Sequence, residues 1–368
     1  MNRKRHLLLS FTLILAAGVA LRADEIDDYV KSQMQRLHIP AISIAVIKDG
    51  SLIKAEGYGL ADIEHGIPAR PDTVFKIGSV SKQFIATGIM LLVQDGRVAL
   101  GDKISRHLPG IASTWQEITL RHLLTHTSGL VREGPGFAPY KLQPEIDVIK
   151  TPYPLPLRFK PGEKYEYSNL GYFVLAEIIH TVSGKPWSEF LTERVFAPLG
   201  MTDTRVTSVA DIVPNRADGY SWNADKFQNT ENWPAVRPSG AFLSTVLDLA
   251  KWEAALLTDR ILTGSTKKEM WTPVVLNDGG KFPYGFGWQL NDWPADSPVP
   301  TGVPMIRHGG SMPGFRAGYF RWPSYGLTVI VLTNREDAPI DGLGANIAIR
   351  VVPELKRAPT PQGAPDPR

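Results

Sequence analysis

The sequence predicts an α/β sheet domain, drawn from both ends of the chain, plus an all-α insertion. Three observations point there. Strand signals cluster in residues 41–58 and return in the last third. The stretch from residue 76 to about 239 holds helix signals and long proline-rich turns. The run Leu327-Thr328-Val329-Ile330-Val331-Leu332 is β-branched and apolar enough for a central strand. The expected division is a signal segment over 1–23, a discontinuous sheet domain over 24–75 and 240–352, a helical domain over 76–239, and a disordered tail over 353–368. A cleft between sheet and helices is the expected place for a site.

Taken in order, Asp24 to Leu37 reads as a helix, with acids early and Ile26, Val30, Met34 and Leu37 at helical spacing. Two strand-like runs, Ala41–Ile47 and Ser51–Tyr58, flank Asp49-Gly50, a hairpin signal. Ile85 to Val93 is apolar on nearly all sides and reads as a buried helix stopped at Asp95-Gly96. Gln116 to Leu124 is a short helix. Thr151 to Gly162 holds four prolines and is extended or turn. Asn169 to Val182 is a helix that Gly184 caps. Trp187 to Phe196 is another, ended by Pro198-Leu199-Gly200, and Leu243 to Leu257 a third, with Ser244 or Thr245 as N-cap. Strand signals then cover Tyr284–Leu290, Gly314–Trp322 and Gly326–Thr333, and a helix over Pro339–Val352 closes the fold. No internal repeat is visible.

The ends bound the setting. Asn2-Arg3-Lys4-Arg5, an apolar run from Leu7 to Leu21, and Arg22-Ala23-Asp24 have the form of a secretory signal, with cleavage after Ala20 or Ala23. An uncleaved anchor is the alternative, against which the shortness of the run counts. Removing residues 1–23 takes four cations and no acid, so the formal charge falls from +3 to −1. The apparent basicity therefore belongs to the export signal, and nucleic acid is not an expected partner. An exported protein without cysteine has no disulfide, thiolate nucleophile, cysteine-based metal site or lipid-bearing cysteine.

The chemistry is expected in three stretches. Ser79 and Lys82 sit three apart at a helix start and project from one face. In a desolvated pocket an amine loses its preference for the ammonium form and takes a hydroxyl proton. Ser-x-x-Lys alone is a weak signal. The second stretch, Tyr167-Ser168-Asn169, opens the next long helix. Its tyrosine suits proton transfer and its asparagine suits holding a carbonyl or an ammonium, though taken alone an N-cap by Ser168 or Asn169 with a packed tyrosine is the better explanation. The third is Arg307-His308-Gly309-Gly310-Ser311. Paired glycines at a strand edge let a substrate approach the backbone, and the Ser311 and Ser79 N–H groups suit an oxyanion hole; a bulge with a surface histidine is the alternative.

These three stretches, in this order, resemble the serine β-lactamase and penicillin-binding-protein superfamily, and most of all its class C-like serine hydrolases. Class A relatives pair Ser-x-x-Lys with Ser-Asp-Asn and Lys-Thr-Gly; the class C-like branch has Tyr-x-Asn, matched by Tyr167-Ser168-Asn169. Connecting phrases match too, among them His122-Leu123-Leu124-Thr125-His126-Thr127-Ser128-Gly129-Leu130, Pro198-Leu199-Gly200-Met201 and Leu243-Ser244-Thr245. The resemblance runs from about Ile26 to Val352. It implies a β-lactamase-like fold, with an antiparallel sheet flanked by terminal helices. It also implies acyl transfer in two steps without metal or cofactor. Ser79 is the nucleophile, Lys82 and Tyr167 share the proton transfers in an order left open, Asn169 orients Lys82 and the substrate, and water releases the acyl group. The implied substrate is a small molecule or peptide, with cell-wall-derived compounds among the candidates: an ester, an amide, a D-amino-acid peptide or a β-lactam.

The third stretch departs from the pattern, since His308-Gly309-Gly310 stands where Lys-Thr-Gly is usual. A histidine is mostly neutral above a pKa of about 6.5, so a substrate carboxylate is held less firmly unless Arg307 or Arg316 substitutes. Esterases, D-peptidases and amidases of the superfamily also carry histidine there, which favours them over a dedicated β-lactamase. The expectation for His308 is assistance to Tyr167, with an acidic limb in the pH profile. His122 and His126 have the spacing of a helical zinc pair, but the family phrase makes them structural. No Gly-x-Ser-x-Gly elbow appears. The non-enzyme alternative is a penicillin-recognising or peptidoglycan-binding sensor that acylates without turnover. Specificity is expected in Glu133–Pro156 and Ser221–Pro238, where Trp222, Phe227 and Trp233 line a pocket or simply pack.

Overall fold

The structure is a computed structural model that describes residues 25–206, 210–234, 237–290 and 302–356. The predicted signal segment lies outside them, as does the tail beyond Lys356; Pro353–Lys356 forms a 3-10 turn that buries Leu355. No helix of the described residues is long and apolar enough to cross a membrane.

A six-stranded sheet organises the molecule. Strands β1 (Ala41–Lys48), β2 (Ser51–Asp62) and β3 (Ile67–Pro68) come from the first quarter of the chain. Strands β4 (Ile306–Met312), β5 (Phe315–Trp322) and β6 (Leu327–Thr333) come from the last. The order is β4-β5-β6-β1-β2-β3, antiparallel throughout. The two halves meet where β1 pairs with β6, Ile44 opposite Val331. Asp49 and Gly50 turn the first hairpin, both at positive φ (49° and 77°), the twist that a two-residue hairpin loop needs.

Alternation along the strands sorts side chains into two cores. Ile42, Ile44 and Val46 with Val329 and Val331 pack beneath the helix over residues 25–37 (α1) and the helix Ile340–Val351. Ala41, Ala45 and Ile47 with Ile330 and Leu332 face the other way, and this second core passes without a break into the helices of the middle of the chain. Those are α2 (Lys82–Gln94), the short α3 (Leu120–Leu124), α4 (Asn169–Ser183) and α5 (Val246–Leu256), so that Ile340–Val351 is α6. Along α2 every residue from Lys82 to Leu92 is buried. Gly96 follows it at φ +68°, and Gly184 caps α4 at φ +76°.

Three expectations are corrected. The helix over Leu243–Leu257 starts at Val246, because Phe242–Ser244 pairs as a short strand with Phe75–Lys76 and leaves Thr245 as N-cap, its side chain accepting the Asp248 N–H. Only Leu120–Leu124 of Gln116–Leu124 is helical. Tyr284–Leu290 is not a strand: it turns back through a bridge between Tyr284 and Gln289. Gly285 and Gly287 permit close approach there, since a side chain on either would overlap or crowd the Met270 carbonyl or the Lys82 backbone.

Candidate active site

Ser79 lies in a single 3-10 turn, Gly78–Ser81, ahead of α2, and Lys82 is the first residue of the α-helix proper. Lys82 is fully buried, and its Nζ has three neighbours: Ser79 Oγ at 3.2 Å, Asn169 Oδ1 at 2.8 Å and the Ser239 carbonyl at 2.6 Å. Burial, with the Arg132 guanidinium nearby, holds its pKa well below that of a free lysine; Glu133 opposes the shift. The asparagine cannot be turned round. Asn169 Nδ2 donates to Glu133 Oε1 at 2.6 Å, and a carboxylate only accepts, so Oδ1 must face the lysine.

Tyr167 completes the near side. Lys82 Nζ lies 4.7 Å from its ring centre, and its hydroxyl is buried without a regular hydrogen bond among the described residues. Burial pushes the phenol pKa up, and Ser79, the polar side chain facing it, offsets part of the rise. Ser168 is the N-cap of α4, its hydroxyl accepting the Gly171 N–H. Ser168 thus caps the helix while its neighbours Tyr167 and Asn169 both lie against Lys82.

Strand β4 forms the far side. Gly78, at φ +53°, presses against it: a methyl there would overlap the Ser311 nitrogen. A side chain on Gly310 would overlap the Ile77 carbonyl. Ser79, Asn169 and Ser311 border one cleft of about 610 Å³, with Arg132, Glu133 and Glu336 among its polar lining and Phe137, Trp233 and Met312 among its apolar lining.

A family model described as Beta-lactamase matches residues 26–353. The chain belongs to the beta-lactamase family. A penicillin-binding protein of Bacillus subtilis (strain 168) is 30% identical over 316 residues, 80% of this chain and 68% of that protein. Protein flp of Staphylococcus aureus (strain MW2) is 26% identical over 86% of this chain and 64% of its own length, so the chain spans about two thirds of these relatives. Among solved structures, a D-amino acid amidase from Ochrobactrum anthropi SV3 is 27% identical with a TM-score of 0.77, covering 91% of this chain and 98% of that one. An octameric penicillin-binding protein homologue from Pyrococcus abyssi is 25% identical with a TM-score of 0.78, covering 91% and 79%.

Against this beta-lactamase-family frame the third stretch differs from expectation in three respects. His308 is buried and bonded to Tyr284, its Nε2 3.0 Å from the Tyr284 hydroxyl. Its ring centre is 6.4 Å from that of Tyr167, and no hydrogen bond joins the two. Burial, then repulsion from Lys82, pulls its pKa down to about 3, far from the 6.5 of the sequence reading. Secondly, Gly310 is a glycine to admit the Ile77 carbonyl rather than a substrate, whereas at Gly309 a methyl meets nothing closer than 3.9 Å. Thirdly, Arg307 is already paired with Asp341 at 2.8 Å, and Arg316 is tied through its Nε to the Glu336 carbonyl.

His122 and His126 part company too. His122 closes a capping box at the start of α3, accepting the Thr119 N–H at 3.2 Å, while His126, at φ +58°, lies under Tyr167 with ring centres 4.2 Å apart. No group of three or more metal-ligating side chains occurs among the described residues. Of the three aromatic candidates for specificity, Trp233 lines the cleft, whereas Trp222 stacks on His38 and packs edge-on against Phe227. Sequence reading missed Glu133 as the partner of Asn169, the Ser239 carbonyl, and Tyr284. For Tyr284 a signal existed: Tyr284-Gly285-Phe286-Gly287-Trp288 alternates aromatic and glycine, a mark of close backbone approach.

Proposed function

We propose that the chain is a serine hydrolase acting on small amides and esters through an acyl-enzyme on Ser79, with Lys82 as the base. The hydrogen bonding of Lys82 Nζ carries this reading. A neutral amine has two N–H bonds and one lone pair. Asn169 Oδ1 and the Ser239 carbonyl, which only accept, take the two N–H bonds, and the lone pair is left for the Ser79 hydroxyl.

In the first half-reaction the Ser79 proton passes to Lys82 Nζ as Oγ attacks the carbonyl carbon. The oxyanion is held by the Ser79 and Ser311 N–H groups, and the Tyr167 hydroxyl protonates the departing amine or alcohol. Lys82 returns its proton to Tyr167. Water then repeats the attack and releases the acid. Tyr167 acts as a donor because its raised pKa keeps the phenol protonated. The D-amino acid amidase likeness, the histidine in place of lysine and the apolar wall of Phe137, Trp233 and Met312 favour amino-acid amides and small esters over β-lactams. The basic and apolar start of the chain supports export to the periplasm or medium, which fractionation of expressing cells would test.

The deciding experiment is an intact-mass time course with benzylpenicillin, p-nitrophenyl butyrate and D-phenylalanine amide, using wild type and Ser79→Ala. Turnover of ester or amide that Ser79→Ala abolishes supports the reading. A lasting penicillin adduct without turnover of any substrate would assign a sensor instead.

A further inference from the structure

Beneath Tyr167 runs a line of buried groups with no assigned part in acyl transfer. His126, Tyr284 and His308 are each at most 2% exposed. Their hydrogen bonds have one consistent direction. The Gly309 carbonyl only accepts, so His308 Nδ1–H donates to it at 2.7 Å and Nε2 is left as the acceptor. Tyr284 O–H therefore donates to His308 Nε2 at 3.0 Å, and its oxygen accepts from His126 Nε2–H at 3.2 Å. His126 Nδ1 then accepts the Ser168 N–H at 3.1 Å. Both histidines are neutral in this arrangement, as burial among Lys82, Arg132 and Arg307 requires. Tyr165, Tyr167 and Tyr172 are the other titratable groups facing the line.

Both ends of the line are backbone groups, so it delivers no proton to a reacting atom. What it joins is significant. Ser168 lies between Tyr167 and Asn169, and Gly309 is two residues from Ser311, so the line ties one wall of the cleft to the other. The Tyr167 ring lies on His126 at 4.2 Å.

We propose that His126, Tyr284 and His308 form a strut across the floor of the cleft that sets the spacing between Tyr167 and the Ser311 N–H, making Tyr284 and His308 positioning residues for acyl transfer. The inference rests on the serine hydrolase reading above. Removing the Tyr284 hydroxyl leaves a buried donor on His126 and a buried acceptor on His308 without partners. The walls then shift, and the transition state suffers more than substrate binding.

The test uses the full chain, with fluorophosphonate labelling of Ser79, steady-state hydrolysis of p-nitrophenyl butyrate and a melting curve for each variant. Tyr284→Phe and His308→Leu should each lower kcat about tenfold or more with KM within about threefold, and slow labelling in parallel. The double variant should be at most about threefold slower than the worse single one, because both break the same strut. His308→Gln, whose amide oxygen accepts the Tyr284 proton, should react at least about threefold faster than His308→Leu. Should Tyr284→Phe fail to fold, the leucine and glutamine variants make the same comparison. Wild-type kinetics in Tyr284→Phe, or effects that multiply in the double variant, would overturn the strut. So would an acidic limb near pH 6.5 that disappears in His308→Leu, since that assigns His308 to proton transfer. If wild type itself is neither labelled nor active, the hydrolase reading falls and the strut falls with it.

Discussion

Lys82 shows how one residue's surroundings select its chemistry. With two fixed carbonyl acceptors on its N–H bonds, the amine in its neutral form turns its lone pair to the Ser79 hydroxyl. Lys82→Met should lose about 10²–10⁴ in kcat, the usual worth of a general base, while the melting curve shows the fold intact. Because the proposed mechanism needs a neutral lysine, the rate should rise with pH through its depressed pKa and then level off. Arg132 helps depress that pKa, so Arg132→Gln should move the acidic limb to higher pH in a pH–rate profile. Tyr167, raised by burial, should add no falling limb below about pH 10, the ordinary phenol value. The spacing of Ser79 and Lys82 was legible because it is local. The Ser239 carbonyl and Glu133 were not, since their partners lie far along the chain and a backbone carbonyl carries no residue signature.

At the level of elements, two adjacent glycines of β4 separate cleanly. Gly310→Ala should nearly abolish activity, because its methyl would push the strand off the Ser79 turn. Gly309→Ala places its methyl in ordinary contact with the Ala317 carbonyl at 3.9 Å and should fold and melt like wild type, as thermal scans of the pair would show. Within α2, Phe84 is fully buried and packs against Phe196, Phe242 and Trp252 at 5.1–5.8 Å. Phe84→Ala should cost about 3–5 kcal/mol in denaturant unfolding through the cavity it leaves. Long periodic elements such as α2, α4 and β6 were readable from their patterns. Phe242–Ser244 was not: a three-residue strand is fixed by its partner, Phe75–Lys76, and its apolar residues merge into the helical period that follows. Tyr284–Leu290 misled for a related reason, since glycines alternating with aromatics imitate a strand's period of two while serving a turn.

At the scale of the whole molecule, two buried histidines among the described residues resist protonation. His308 has a folded pKa of about 3, against about 6.5 in the unfolded chain. Between those values the unfolded state takes up a proton that the folded state refuses. Stability is therefore full above pH 6.5 and declines as pH falls toward 3, by on the order of a few kcal/mol; His126 acts in the same direction. His308→Gln should flatten this decline in urea unfolding curves measured at pH 7 and pH 4. The general plan, a sheet from both termini around a helical middle, could be read from the sequence because strand and helix periods differ. The direct contact of Gly78 with Ser311 could not, since only closure of the sheet brings them together.

That closure has a consequence in time. The pairing of β1 with β6 joins the first strand of the sheet to the last, almost the whole chain apart. A growing chain therefore holds Ser79 and Lys82 long before it holds Ser311, and β1 lacks one of its neighbours until residues 327–333 have been made. Folds dominated by such distant pairings form slowly. The Gly78–Ser311 contact therefore arrives only with the last strands, and until they join the sheet the chain carries its serine and lysine without the facing wall of the cleft.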